Sequence, residues 1–184
     1  MRKVTGLLLL AGLAAPTLAL SSTGAVGATS RATAAGTTCT KAAGTLTFNP
    51  PMPVSGPATL TITNKGTVGG CSGSVFTGTV TGSLKYPKKV DCAGLIAGTA
   101  GFASGTMIIK WNVAADAPSA IIVTGVKGPD TLHPSTKGVV HTGTFVGLHS
   151  TQTIAIGKLN PANGCTGAPL KSISYTQSKP LVIK

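Results

Sequence analysis

The chain has 184 residues, and its 15 lysines and arginines outnumber its 3 acidic residues, so its formal net charge is +12. All three acidic residues are aspartates. This scarcity leaves little material for the paired carboxylates of glycoside hydrolases or for an acidic calcium loop. The positive charge attracts polyanions at low salt, although lysines scattered over a surface also keep a protein in solution.

The N-terminus has the pattern of a secretory signal peptide. A short basic start is followed by the apolar run Leu7–Ala15 and then by small residues that end at Ala28. We predict a signal peptide over residues 1–28, with Ala19 and Ala25 as alternative cleavage sites. The apolar run is shorter than the roughly 20 residues that span a bilayer, and no comparable run follows. We therefore expect no membrane span and a secreted protein, either extracellular or associated with the cell envelope.

Residues 29–38 are small and polar and predict a flexible leader, after which a single β domain spans residues 39–184. Alternation of apolar and polar residues with a period of two dominates this domain. In TMIIKWNV, for example, Met107, Ile109 and Trp111 fall on one face, so Trp111 is expected in the core. Proline and glycine turn signals separate such segments. The pattern predicts an all-β antiparallel β-sandwich of seven to nine short strands, with a closed or partly open β-barrel as the alternative.

Two segments repeat the letters T-G-T followed by an apolar residue: VFTGTVTGSL over residues 75–84 and VHTGTFVGLH over residues 140–149. Each places glycines on both sides of an apolar residue on one strand face. Glycine weakens a strand, but it permits a bend or the close approach of another group. We interpret both segments as strands bent over the core, with a bulky side chain filling the space beside the glycines.

Four cysteines in a chain with a signal peptide predict two disulfide bonds. Three pairings are possible. We favour Cys39–Cys71 and Cys92–Cys165, because Cys39 and Cys71 each precede a predicted strand near the start of the domain. No C-x-x-C motif occurs, so neither a zinc site nor a thioredoxin-like redox motif is indicated.

A series of short motifs runs along the chain. A leader rich in Gly, Ala and Thr precedes TCT, which is followed by FNPPMP, by GGCSG before a G-T-V-x-G strand, by a strand that contains tryptophan, and by a late cysteine before the last strand. This layout resembles that of small secreted all-β proteins of actinobacteria. The resemblance implies secretion and a β architecture. It implies no activity and assigns no functional residues.

Few residues offer catalytic or metal chemistry. His133, His141 and His149 are evenly spaced, but in an extended chain His141 and His149 lie roughly 26 Å apart, too far to share a metal ion. Asp130 and His133 lie close together on one loop and form at most half of a catalytic group. Aspartates in turns, such as Asp130 and Asp116, usually bond to the local backbone. We expect no catalytic residue, no metal site and no cofactor.

The densest basic cluster is KYPKK over residues 85–89, which combines charge with an aromatic ring, as a stacking surface does. The candidate binding residues are Lys85, Tyr86, Lys88 and Lys89. Export argues against nucleic acid as the partner. Three functions are consistent with the sequence: a non-enzymatic binding or structural protein of the cell exterior that binds anionic envelope or extracellular polymers, a carrier of a small apolar ligand, and an extracellular hydrolase that uses the aspartate–histidine pair.

Overall fold

The computed structural model describes residues 35–184 except residues 74, 98 and 114–115, so the predicted signal peptide and most of the predicted leader lie outside the described residues. The described chain consists of antiparallel strands and one short helix, α1, which spans Cys92–Ile96. The strands are β1 (Thr37–Met52), β2 (Thr61–Cys71), β3 (Thr77–Lys85), β4 (Ser104–Trp111), β5 (Ser119–Val126), β6 (Ser135–Thr142), β7 (His149–Asn160) and β8 (Leu170–Ile183).

The strands close into a barrel. Each strand pairs in antiparallel fashion with the next one along the chain, and β8 pairs with β1. This topology confirms the antiparallel all-β class, and of the two predicted architectures the structure adopts the closed barrel. β1 begins at Thr37, two residues before the predicted start of the domain, because Thr37 and Thr38 pair with Ile183 and Val182 at the end of β8.

Alternate side chains of the strands point into the barrel and form its core. Val80 on β3 and Ile109 on β4 face inward at directly paired positions, and Trp111 is buried as predicted, with 4% of its surface exposed. A cavity among the inward side chains of the described strands measures about 10 Å³, close to the space that one water molecule occupies. At this place the inward side chains leave little room for a ligand.

Tyr175 of β8 lies along the inner wall of the barrel, over β1, and reaches β2. Its hydroxyl donates a hydrogen bond to Asn64 Oδ1 at 2.9 Å, so the buried polar atoms of the two side chains satisfy each other. A Cβ atom placed on Gly44 or Gly66 would lie 2.6 or 2.7 Å from the Tyr175 hydroxyl oxygen. These two glycines, on the paired strands β1 and β2, leave the space that the tyrosine fills. Burial raises the pKa of Tyr175 above its ordinary value.

Both predicted disulfide bonds are confirmed. Cys39–Cys71 joins residues that lie directly opposite each other on β1 and β2. Cys92–Cys165 connects the first residue of α1 to the segment between β7 and β8. The start of α1 is further fixed by Asp91, whose carboxylate accepts a hydrogen bond from Gly94 N at 2.7 Å, as expected of a helix N-cap.

The two T-G-T segments have different structures. The first follows the prediction: it forms β3, and its inward-facing Gly78 lies against Ile109 and Trp111. For the second segment the prediction of a bent strand is wrong beyond Thr142, where β6 ends and a turn begins. Within this turn Phe145 has a φ of 70° and is buried, and its ring packs edge-on against Trp111 with centroids 5.6 Å apart. The shared T-G-T motif therefore lies in a strand of the barrel wall in the first segment and leads into a turn with a buried phenylalanine in the second.

Gly78→Val is expected to destabilise the barrel by about 1–3 kcal/mol, because the added methyl groups overpack a filled region. A Cβ on Gly78 would already lie 2.9 Å from Ile109 Cγ2. Gly69→Val on β2 is the matched control, since a Cβ there meets only Thr77 Cγ2, at 3.7 Å. The measurement is the free energy of unfolding from urea titration of each oxidised protein. Equal changes in the two variants would contradict the packing explanation.

Candidate functional site on the outer wall

The lysines of this protein have almost no acidic groups to pair with. The described part of the chain contains twelve lysines and three aspartates. Asp91 is buried as the cap of α1, Asp116 is half-buried, and Asp130 pairs with His133. Within the described residues, no lysine lies within salt-bridge distance of a carboxylate. The positive charge of the surface is therefore not compensated by the protein itself.

The predicted basic patch is divided between surface and core. Lys85 ends β3, and Lys88 and Lys89 are exposed in the loop that follows. Tyr86 instead packs against the core, and burial raises its pKa to about 12. The Tyr86 ring is partly buried, and a stacking role for it stays a prediction. The three lysines remain available to a ligand, and their role in binding stays a prediction.

A second feature of the outer wall is a depression of about 830 Å³. It crosses five neighbouring strands in the order β8, β1, β2, β3 and β4. Its exposed lining includes the threonines Thr67, Thr77 and Thr79, with Lys41 on β1 and Lys110 on β4. We call this feature the wall groove. It combines neutral hydroxyl groups with two unpaired ammonium groups.

The strand register brings the residues of the wall groove together. Thr67 lies opposite Thr79, and Thr79 lies opposite Lys110, so one row crosses β2, β3 and β4. In the adjoining row Lys41 lies opposite Gly69. Neighbouring strands are about 4.8 Å apart, so the three spacings from β1 to β4 separate Lys41 from Lys110 by about 14 Å across the wall. Sequence reasoning missed this site because its residues come from distant segments, and only the register shows that they meet.

Small side chains keep the wall groove open. Ala43 and Gly69 lie among its central residues, and Ala43 pairs with Thr67 on β2 and with Thr176 on β8. At its β4 side, Asn112 Oδ1 accepts a hydrogen bond from Thr77 N at 3.1 Å, which leaves the side-chain amide group of Asn112 available to a ligand. A ligand can therefore approach the backbone and reach both donors and acceptors.

Among the described lining residues of the wall groove, no aromatic ring is exposed. The one aromatic residue there, Trp111, turns its ring into the barrel. Its Nε1 donates a hydrogen bond to Ser119 Oγ at 2.9 Å, and Ser119 Oγ in turn bonds to the carbonyl oxygen of Thr144. The tryptophan thus fixes the turn beneath the wall, and the exposed polar groups of the groove are hydroxyl, amide and ammonium groups.

Asp130 and His133 form the pair that the sequence suggested. The two Asp130 carboxylate oxygens lie 2.8 and 2.9 Å from His133 Nδ1, and Oδ1 also accepts a hydrogen bond from Leu132 N at 2.8 Å. The nearby Ser135 hydroxyl is hydrogen-bonded to Thr153 instead. In the described residues no serine or cysteine bonds to His133, so the pair lacks a nucleophile in contact and acts as a turn-stabilising contact.

The remaining histidines are exposed on the barrel wall. His141 lies on β6, and His149 starts β7, where it pairs with Val139. Across residues 35–184, apart from the four that the structure leaves out, no three His, Cys, Asp or Glu side chains come together as a metal-binding group.

The chain matches no protein-family model, no curated protein and no solved structure. In the part of the chain that the structure describes, no helix is both long and apolar enough to cross a membrane.

His133→Ala is expected to raise the pKa of Asp130 towards its ordinary value. The hydrogen bond from His133 lowers the pKa of this carboxyl in the native protein. Any stabilisation from the pair is present at neutral pH and is lost as the pH falls through the lowered pKa of Asp130. The measurement is a carboxyl-carbon NMR titration, with His149→Ala as the control. An unchanged Asp130 midpoint in His133→Ala would show that the contact is absent in solution.

Proposed function

We propose that this protein is an exported, non-enzymatic binding protein of the cell exterior that binds anionic polymers of the envelope or the extracellular matrix. The observation that carries the proposal is the set of twelve lysines, none of which pairs with a carboxylate in the described part of the chain. Two disulfide bonds suit an oxidising compartment outside the cell.

The physical basis of the proposed binding is electrostatic. At physiological salt the Debye length is about 8 Å, so an exposed lysine attracts an isolated distant anion only weakly. A polymer that carries many charges contacts several lysines at once, and the individual weak contacts then act together. Because no carboxylate competes for these ammonium groups, the polymer displaces only water and counterions.

The other two functions receive less support from the geometry. A carrier of an apolar ligand needs an internal cavity of several hundred Å³, whereas the cavity among the inward side chains of the described strands measures about 10 Å³. A hydrolase needs a nucleophile beside its base, and the hydroxyl of Ser135 is bonded to Thr153 rather than to His133. The binding function is therefore the one we propose.

The test is cosedimentation of the oxidised protein with isolated cell envelopes and with insoluble acidic polysaccharides over a series of salt concentrations. The bound fraction is expected to fall steeply as salt rises. The triple variant Lys85→Gln, Lys88→Gln and Lys89→Gln is expected to bind several-fold more weakly at low salt, since it removes three of the unpaired charges in one region. Absence of binding even at low salt would overturn the proposal.

A matched control keeps this experiment specific. Lys127, Lys158 and Lys171 are exposed on other parts of the barrel. Their triple replacement by glutamine changes the net charge by the same amount. A larger loss of binding in the 85, 88 and 89 variant identifies that region as a contact surface. An equal loss in both variants would show that binding depends on the total surface charge and that Lys85, Lys88 and Lys89 contribute no more than other lysines.

A further inference from the structure

We infer that the wall groove binds an extended acidic polysaccharide, whose chain runs across the strands from β8 to β4. This inference rests on the proposed function and names the ligand class and the place where it binds. Four observations carry it: the dimensions of the groove, the exposed threonines in its lining, the position of its lysines and the absence of an exposed aromatic ring among its described residues.

The shape of the groove suits a chain rather than a compact ligand. Its volume of about 830 Å³ lies open on the outer face of five strands. Four interstrand spacings of about 4.8 Å give a length of about 19 Å across the wall. A ligand that uses this length lies extended over the strands, with both of its ends free to continue beyond the groove. That is the geometry of an internal segment of a polymer.

The lining of the groove matches a ligand that is rich in hydroxyl groups. Thr67 and Thr79 lie opposite each other, and Thr77 precedes Thr79 by two positions on the same outward face of β3. Each threonine hydroxyl is both a donor and an acceptor. Ala43 and Gly69 add no bulk beside these hydroxyls, so a sugar ring can approach them closely.

The lysines of the groove indicate that its ligand carries negative charge. Lys41 and Lys110 lie on opposite sides of the groove, about 14 Å apart across the wall by strand spacing. Lys65 precedes Thr67 by two residues and faces outward on the same strand. A chain with carboxylates or sulfates at intervals can contact Lys41 and Lys110 with both side chains upright, whereas one small anion would require both side chains to bend towards it. The spacing therefore favours a polyanion over a single anionic metabolite.

The lack of an exposed aromatic ring separates a polysaccharide from a single-stranded nucleic acid. Sites for single strands combine positive charge with aromatic side chains on which the bases stack. Trp111, the aromatic residue that lines the groove, is buried with its ring in the barrel. Hydroxyls and ammonium groups without stacking surfaces match acidic sugars, which offer hydroxyls and charges along one chain.

The test is titration calorimetry of the full oxidised protein with an oligogalacturonate of defined length at low salt. The triple variant Thr67→Val, Thr77→Val and Thr79→Val keeps the side-chain shape and the net charge, so it removes only the hydroxyls. It is expected to bind about tenfold more weakly. The control replaces three outward threonines that do not line the groove, Thr47, Thr106 and Thr124, by valine, and it is expected to bind like the native protein.

A second pair of variants tests the charges. Lys41→Gln with Lys110→Gln removes two charges from the groove, and Lys158→Gln with Lys171→Gln removes two from β7 and β8. The groove pair is expected to lose about tenfold in affinity and the remote pair no more than about twofold. Neutral dextran, with hydroxyls but no charge, is expected not to bind measurably.

The outcomes distinguish this inference from the proposed function. If both lysine pairs lose affinity equally and the threonine variant binds normally, the groove is not the site, although general polyanion binding stands. If inorganic polyphosphate binds the native protein as tightly as the oligogalacturonate does, and the threonine changes weaken the binding of neither polymer, the ligand class is wrong. If neither polymer binds at low salt, and isolated envelopes also fail to bind, the proposed function fails as well.

Discussion

The hydrogen bonds between β8 and β1 close the sheet into a barrel, and the other features follow from that closure. β1 spans 16 residues and β8 spans 14, and they pair in segments that are separated by irregularities of register. A closed sheet has no free edges, and it divides each strand into an inward and an outward series of side chains. The inward series must fill a space of fixed size, while the outward series forms the wall and its groove.

The interior shows how tightly the closure constrains the sequence. Tyr175 lies flat over β1 and β2 only because Gly44 and Gly66 lack side chains, and the Trp111 ring fits closely beside Gly78. Glycine is unfavourable in a strand by itself, since it contributes no packing and loses more backbone entropy than other residues. Here two large aromatic side chains take the space that the glycines leave, and each finds a hydrogen-bond partner inside the barrel.

Sequence reasoning recovers what is local and misses what depends on the register. The alternation of apolar and polar residues identified the strands. Trp111 falls on the apolar side of that alternation, and it is buried. The disulfide pairing was also predicted correctly. Closure into a barrel is not visible in any local pattern, because it depends on pairing between the first and last strands. The wall groove was missed for the same reason: only the pairing of neighbouring strands places Lys41 and Lys110 on opposite sides of one groove. The turn at Phe145 was missed because its positive φ and its contact with Trp111 are tertiary features.

The choice of lysine bears on the kind of binding that this surface can support. The described part of the chain contains twelve lysines and no arginine. Arginine binds carboxylates through two parallel hydrogen bonds in a fixed geometry, whereas the lysine ammonium group is a compact, strongly hydrated charge on a flexible stem. Lysine ammonium groups bind acidic groups that approach from many directions, and this binding weakens as the salt concentration rises. A wall that presents lysines around neutral hydroxyls therefore suits reversible binding along a polymer of repeating units better than tight capture of one defined ligand.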